Sequence, residues 1–204
     1  MRVRLFLLCI AIIAIRASPV HAMDLEITPF AGFTWGGEFT DAETGKSLRF
    51  DDTSSYGVML DFKQAEDSWI ELYFSRQQTR LTSSQGPFYG NPLFDVDVEY
   101  YHIGGTYGAA AGKVRPFVVG TFGATHLVPQ GAGLQSETKL SLSLGGGARF
   151  YLTKRIGLRV DARWFGTFFN GSGSAFCSGG ACSVNVQGSV LSQITTNAGV
   201  ILAF

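Results

Sequence analysis

The sequence has little charge, cysteine or histidine. Charged residues make up 16% of its 204 residues, and the chain contains 3 Cys, 3 His and 6 Pro. Its basic residues form no run of the kind that holds nucleic-acid phosphates, so no nucleic-acid partner is expected. An aromatic content of 13% excludes a disordered chain or a coiled coil. The composition therefore indicates one domain that is unusually apolar.

The first 22 residues contain no acidic side chain. Two arginines precede an apolar run at residues 5–15, and small residues close the segment at 20–22, which is the pattern of a secretory signal peptide. The run is about half of the ~20 residues that a spanning helix needs, which disfavours the alternative of a retained anchor. We therefore predict that residues 1–22 are a cleaved signal peptide and that residues 23–204 form the mature domain. Three of the 16 basic residues lie in the signal peptide, which leaves 13 against 16 acidic residues.

The mature chain shows no helical periodicity and instead alternates between apolar and polar residues in short segments. Eight strands are predicted, at residues 24–35, 54–63, 69–80, 94–107, 114–126, 138–151, 156–168 and 190–204. The connections between them are alternately long and short, as in outer-membrane barrels. The sequence thus predicts an all-β, eight-stranded antiparallel up-and-down transmembrane β-barrel. Both termini then fall on the short-turn side, which is the periplasm.

Alternation within each strand separates an apolar face from a polar one. In the seventh predicted strand, Ile156, Leu158 and Val160 alternate with charged residues that include Arg159 and Asp161. Parity alone does not say which face points inward, so a soluble barrel with an apolar interior is the alternative. Aromatic residues near the strand ends and the regular split between long loops and tight turns favour the membrane barrel. The apolar face is therefore expected to contact lipid.

Placing the polar face inward predicts a charged lumen. Its predicted members are Arg149, Arg159, Arg163, Asp161, Glu71, Asp95, Asp97 and Glu99, together with Glu26 and Asp61. Buried charges cost several kcal/mol each unless they are paired, so an ion-pair network centred on the three arginines is expected. At eight strands side chains fill the interior, which predicts a closed barrel. Because the carboxylates outnumber the arginines, a narrow pore for small hydrophilic or cationic solutes is the alternative.

The last strand ends in Asn197-Ala198-Gly199-Val200-Ile201-Leu202-Ala203-Phe204. With Leu202 and Val200 at alternate positions before Phe204, it resembles the C-terminal assembly signal of Gram-negative outer-membrane proteins, although Leu202 stands where many members carry an aromatic residue. The mature chain is similar to the small eight-stranded barrels of the OmpA/OmpX type. The resemblance implies insertion by the barrel-insertion machinery into the outer membrane. A monomer surrounded by outer-membrane lipid and lipopolysaccharide is expected.

Cys177 and Cys182 are the two cysteines of the mature chain, and they lie in the last long loop. In an oxidising compartment this spacing predicts a disulfide, worth roughly 2 kcal/mol on chain-entropy grounds. A metal pair is the alternative, but no histidine or third cysteine lies nearby in the sequence. No metal or other cofactor is predicted.

Catalysis is a further alternative, because some eight-stranded outer-membrane barrels modify lipid A with a serine, a histidine and an acidic partner. His102 and His126 remain after signal removal, and neither lies in a His-x-Ser pattern. No triad is evident, since a triad is defined by geometry and roles. We therefore predict a protein that is not an enzyme and that acts in envelope structure or surface interaction through its extracellular loops. The first of these loops, near residues 36–53, is expected to be acidic and solvated.

Overall fold

The computed structural model describes residues 25–40, 47–83, 92–109, 112–130, 134–169, 173–178, 181–186 and 190–204. The predicted signal peptide lies outside these residues. Within them, no helix is long and apolar enough to cross a lipid bilayer.

Eight long strands form the barrel wall. They are β1 (Leu25–Trp35), β4 (Thr53–Lys63), β5 (Ser68–Ser83), β6 (Pro92–Gly108), β7 (Val114–Gln130), β8 (Glu137–Tyr151), β9 (Ile156–Phe168) and β12 (Val190–Ala203). Each pairs antiparallel with its neighbours along the chain, and β12 pairs with β1 to close the ring. The predicted eight-stranded up-and-down barrel is confirmed. Closure leaves the long strands without a free edge, which satisfies the backbone hydrogen bonds.

Four shorter strands lie in the long connections. They are β2 (Glu38–Thr40), β3 (Ser47–Phe50), β10 (Gly173–Ser178) and β11 (Ala181–Val186). β3 pairs with the end of β5 and β2 pairs with β3, while β10 and β11 form a separate hairpin. The prediction that residues 36–53 form a solvated loop is therefore wrong in part, because β3 continues the barrel wall and Phe50 is buried.

The outer surface of the barrel is apolar around its circumference. Every long strand contributes exposed apolar side chains, among them Phe33, Phe62, Ile70, Leu72, Ile103, Val118, Phe122, Leu140, Leu144, Leu158, Val160, Ile194, Val200 and Leu202. We call this surface the apolar belt. A soluble barrel buries the apolar face of its strands. Exposed apolar patches of this extent mark contact with other molecules or with lipid. The predicted outward direction of the apolar face is confirmed for β8, β9 and β12.

Beyond the belt, β5, β6 and β7 continue toward the long-loop end and their pattern reverses. Arg76 and Arg80 of β5 and Asp95, Asp97 and Glu99 of β6 lie on the outer face and form what we call the outer charged band. The interior here is apolar, because the side chains of Leu81, Val96, Val98 and Leu127 are fully buried. A charged exterior around an apolar interior is the arrangement of a barrel surrounded by water.

Candidate functional site in the barrel lumen

The lumen nearest the short-turn end holds a network of ion pairs, which we call the lumen charge network. Arg159 lies at its centre, with its two terminal nitrogens 2.7 Å from Asp61 Oδ2 and 2.5 Å from Glu71 Oε2. Arg163 donates to Glu71 Oε1 at 2.6 Å and to Asp161 Oδ1 at 2.8 Å. Arg149 donates to Asp61 at 2.9 Å. The three predicted arginines therefore share carboxylates rather than forming separate pairs.

The network joins opposite walls of the barrel. Asp61 on β4 stands beside Glu71 on β5 and Glu26 on β1 in the strand register, so one wall carries three adjacent carboxylates. Arg149 on β8 and Arg159 on β9 are likewise register neighbours on the facing wall. Two adjacent arginines would repel each other, and three adjacent carboxylates would as well. Opposite charge from the other wall stabilises each wall, and on β9 Asp161 also pairs with Arg159 and Arg163.

Two glycines of β8 make room for the network. In the strand register Gly145 lies opposite Arg163, and Gly147 lies opposite Asp161. A Cβ atom at Gly147 would come within 2.6 Å of the Asp161 Cβ atom, and one at Gly145 within 3.0 Å of the Arg163 Cγ atom. The run of glycines at 145–147 therefore lets the charged side chains of β9 lie flat across β8, where any larger residue would displace them.

Aromatic and amide side chains fill the middle of the lumen. The rings of Tyr100 and Phe165 are 4.3 Å apart at their centroids, and Tyr73 packs against Phe165 at 5.6 Å. The hydroxyl of Tyr100 donates to Gln193 Oε1 at 2.5 Å, and Gln193 donates in turn to Gln77 at 3.2 Å. These contacts cross the barrel from β5 and β6 to β9 and β12.

The end of the lumen nearest the long loops is apolar. Phe50, Leu81, Val96, Val98, Leu127 and Leu191 are each no more than 1% exposed there. The lumen is thus filled in three successive layers: charged, aromatic with amides, and apolar. Side chains occupy the described interior along its length, as expected for a barrel of eight strands.

Three predicted members of the network lie elsewhere. Asp95, Asp97 and Glu99 belong to the outer charged band, and placing them in the lumen was wrong. Asp97 accepts from Arg76 at 2.6 Å, and Asp95 accepts from Arg80 at 3.0 Å. The physical reason is the height of these residues on β6. They lie beyond the apolar belt, where the exterior is polar and the apolar parity turns inward.

The two histidines do not share a site. His102 is buried in the middle of the lumen, with Nδ1 3.0 Å from Thr121 Oγ1 and Nε2 2.8 Å from Ser141 Oγ. His126 lies on the outer face, with Nδ1 2.9 Å from Thr138 Oγ1. Ser141 is itself buried. These hydrogen bonds satisfy His102 as a packing residue and supply no acidic partner for a triad.

The structure describes the predicted disulfide only through the backbone positions of its cysteines. It describes the predicted assembly signal only through the exposure of its side chains. Cys177 on β10 stands directly opposite Cys182 on β11 in the hairpin register, while the side chains lie outside the described part of the structure. The disulfide stays a prediction. Phe204, Leu202 and Val200 all point outward from the barrel beside β1, at 59%, 38% and 43% exposure. Their recognition by the insertion machinery also stays a prediction.

Neither a protein-family model nor a curated protein sequence matches the chain. Solved structures do. The crystal structure of Neisserial surface protein A (NspA) aligns over 89% of this chain and 97% of its own length, with a TM-score of 0.59 and 14% identity. The outer-membrane protein OprG from Pseudomonas aeruginosa aligns over 90% of this chain and 96% of its own, with a TM-score of 0.56 and 15% identity. The outer-membrane protein AlkL aligns over 93% and 94%, with a TM-score of 0.56 and 11% identity.

Proposed function

We propose that this protein spans the outer membrane as a closed barrel. Its fold, which is that of the small eight-stranded outer-membrane barrels, supports this proposal. Its function then lies at the long-loop end, in envelope structure or surface interaction, and not in transport through the lumen. The observation that carries the proposal is the filling of the lumen by three layers of side chains, in which Arg159, Arg163 and Phe165 are at most 1% exposed. A rigid, filled scaffold suits loops that recognise other molecules.

The apolar belt supports the membrane location. Its side chains are exposed on all eight long strands, where lipid tails would cover them. The outer charged band lies just beyond the belt, beside the aromatic pair of Phe74 and Tyr101, whose centroids are 5.0 Å apart. Aromatic residues favour the membrane interface, so the band falls at the height of the lipid headgroups. Lipopolysaccharide is the proposed neighbour of this band, and the barrel is proposed to be a monomer.

The orientation is tested by labelling whole cells. In a variant whose two mature cysteines are replaced by serine, Gln135→Cys at the long-loop end should react with a membrane-impermeant maleimide. The matched Ala65→Cys, in the turn between β4 and β5, should react only after lysis, because short turns face the periplasm. Both positions are exposed, so accessibility in the folded protein does not separate them. Labelling of Ala65→Cys on intact cells would reverse the orientation.

The narrow pore is the second candidate, favoured by the charge of the lumen charge network. Glu26, Asp61, Glu71 and Asp161 supply four carboxylates against the three arginines Arg149, Arg159 and Arg163. One surplus negative charge would favour cations if the lumen opened. The aromatic and apolar layers oppose this, because ions do not cross dry apolar packing.

Planar-bilayer conductance separates the two candidates. The purified barrel should give no unitary current steps in potassium chloride, while a general porin reconstituted in parallel gives steps. Stable cation-selective steps from the wild-type barrel would contradict a closed lumen and establish the pore. A lipid A-modifying enzyme is the third candidate, and the buried position of His102 and Ser141 disfavours it.

A further inference from the structure

The short-turn end of the barrel carries a collar of basic side chains. Lys63 ends β4, Lys113 and Arg115 lie where β7 begins, and Lys154 and Arg155 lie in the turn between β8 and β9. We call these five residues the basic collar. The described acidic residues of the turns at this end are Glu66 and Asp67, both between β4 and β5. The described turns and strand ends of the short-turn end thus carry more basic than acidic side chains.

Three members of the collar surround a cavity of about 390 Å³ at the mouth of the lumen, which we call the mouth pocket. Its walls are formed by Lys63, Arg115, Lys154, Glu26, Trp69, Tyr151, Thr153 and Ala203. The volume falls within the range of small-molecule sites. Three cations from three separate elements therefore converge on one concave surface that opens to water at the end of the barrel.

The three cations of the mouth pocket outnumber its one carboxylate, Glu26, and none of them pairs with it. Within the described part of the chain, Lys63 and Lys154 form no ion pair. Arg115 stacks over the Tyr151 ring at 4.6 Å from the centroid, and its Nε is 3.3 Å from the Gly112 carbonyl oxygen. Its guanidinium is thus oriented without a carboxylate partner. Clustered lysine and arginine side chains of this kind recognise phosphate groups.

The floor of the pocket holds an unmet acceptor. Glu26 is 3% exposed, and its Oε1 accepts from the Tyr151 hydroxyl at 2.7 Å. Its Oε2 has no hydrogen-bond partner and lies 4.0 Å from Arg149 Nε, which also lacks one. A buried carboxylate oxygen without a donor costs free energy. Glu26 Oε2 is closed to solvent in this structure, so a ligand N–H group in the pocket reaches and satisfies it once the Glu26 carboxylate rotates toward the pocket.

We propose that the mouth pocket binds a phosphate ester of an amino alcohol, of the phosphoethanolamine type. The phosphate is held by Lys63, Arg115 and Lys154, and the ammonium group donates to Glu26 Oε2. Either a free phosphate ester or a phospholipid headgroup has this chemistry. This proposal rests on the geometry of the short-turn end. It therefore does not depend on whether the long loops act in surface interaction.

Calorimetric titration of the full chain in maltoside detergent tests the proposal, with O-phosphoethanolamine and inorganic phosphate as the probes. O-phosphoethanolamine should bind about tenfold more tightly than phosphate, which corresponds to one charge-assisted hydrogen bond of ~1.4 kcal/mol. The double variant Lys63→Gln with Lys154→Gln should lose about tenfold or more in affinity for both probes. Arg155→Gln removes a collar cation that does not line the pocket and should bind both probes like the wild type.

Glu26→Gln provides the second readout. It should bind phosphate at least as well as the wild type and lose most of the preference for O-phosphoethanolamine, because the amide keeps the shape of the carboxylate but removes the negative charge that pairs with the ammonium group. Equal affinities for the two probes in the wild type, or an unchanged double-lysine variant, would overturn the proposal. The source of the ligand is distinguished by native mass spectrometry from mixed micelles. Retention of phosphatidylethanolamine over phosphatidylcholine, which has no N–H donor, assigns the lipid headgroup, and binding of the free ester alone assigns a soluble ligand.

Discussion

Replacing Arg163 by methionine is expected to lower the free energy of unfolding by about 3–5 kcal/mol. Arg163 is fully buried and donates to both Glu71 and Asp161. Methionine removes the positive charge, so two buried carboxylates are left with Arg159 as their shared partner. Urea unfolding of the barrel in lipid vesicles, followed by tryptophan fluorescence, measures the change.

Two further variants make this result specific to the lumen charge network. Arg80→Met removes an arginine whose pair with Asp95 is exposed on both sides, at 62% for each side chain, and should change the free energy of unfolding by less than ~1 kcal/mol. Combining Arg163→Met with Glu71→Gln should recover part of the loss, because the uncompensated charge is removed as well. Similar losses for Arg163→Met and Arg80→Met would show that the network does not stabilise the barrel.

Replacing Val160 by arginine is expected to cost about 2–4 kcal/mol of unfolding free energy in vesicles. Val160 is exposed on the outer face of β9 within the apolar belt, so in the proposed membrane location an arginine there enters the hydrocarbon core. The matched variant is Gln78→Arg, which introduces the same side chain on the outer face of β5 beyond the belt. It stands opposite Asp97 in the strand register and should cost less than ~0.5 kcal/mol.

The same pair of variants in a soluble barrel would behave alike, because water solvates an arginine at either exposed position. If Val160→Arg lowers the free energy of unfolding no more than Gln78→Arg does, the apolar belt does not contact lipid. The measurement needs lipid vesicles, because the free-energy cost of an arginine on the outer face depends on its depth only when a bilayer surrounds the barrel.

Alternation was sufficient to predict the eight long strands and most of their faces, but not the four short strands in the long connections. β9 shows why: Leu158 and Val160 alternate with Arg159 and Asp161 along a strand that lies inside the belt from end to end. The same rule failed on β6, because its first half stands beyond the belt. Val98 and Glu99 alternate there as well, but water reverses which of them is buried. Alternation along a strand separates two faces. Which face points into the lumen depends on whether that part of the outer surface is polar or apolar.

The partners within the lumen could not be predicted from the sequence. Parity placed Asp61 and Arg159 inside, but their contact depends on the closed ring that brings β4 opposite β9. The ion pairs of the outer charged band, in contrast, could be predicted from the sequence. Arg76 and Arg80 on β5 have the same spacing as Asp95 and Glu99 on β6, and an antiparallel pairing of these adjacent strands puts opposite charges side by side.

The span of the lumen charge network along the chain has a consequence for how the barrel is built. Arg159 reaches Asp61 across 98 residues and Glu71 across 88, and Arg163 reaches Glu71 across 92. Asp61 and Glu71 are made first and lack their arginine partners until β8 and β9 arrive, so a half-finished barrel holds uncompensated charge in its interior. Contacts this distant form late in folding. The interior charges are thus paired only on closure, which favours assembly of the eight strands as one cooperative event.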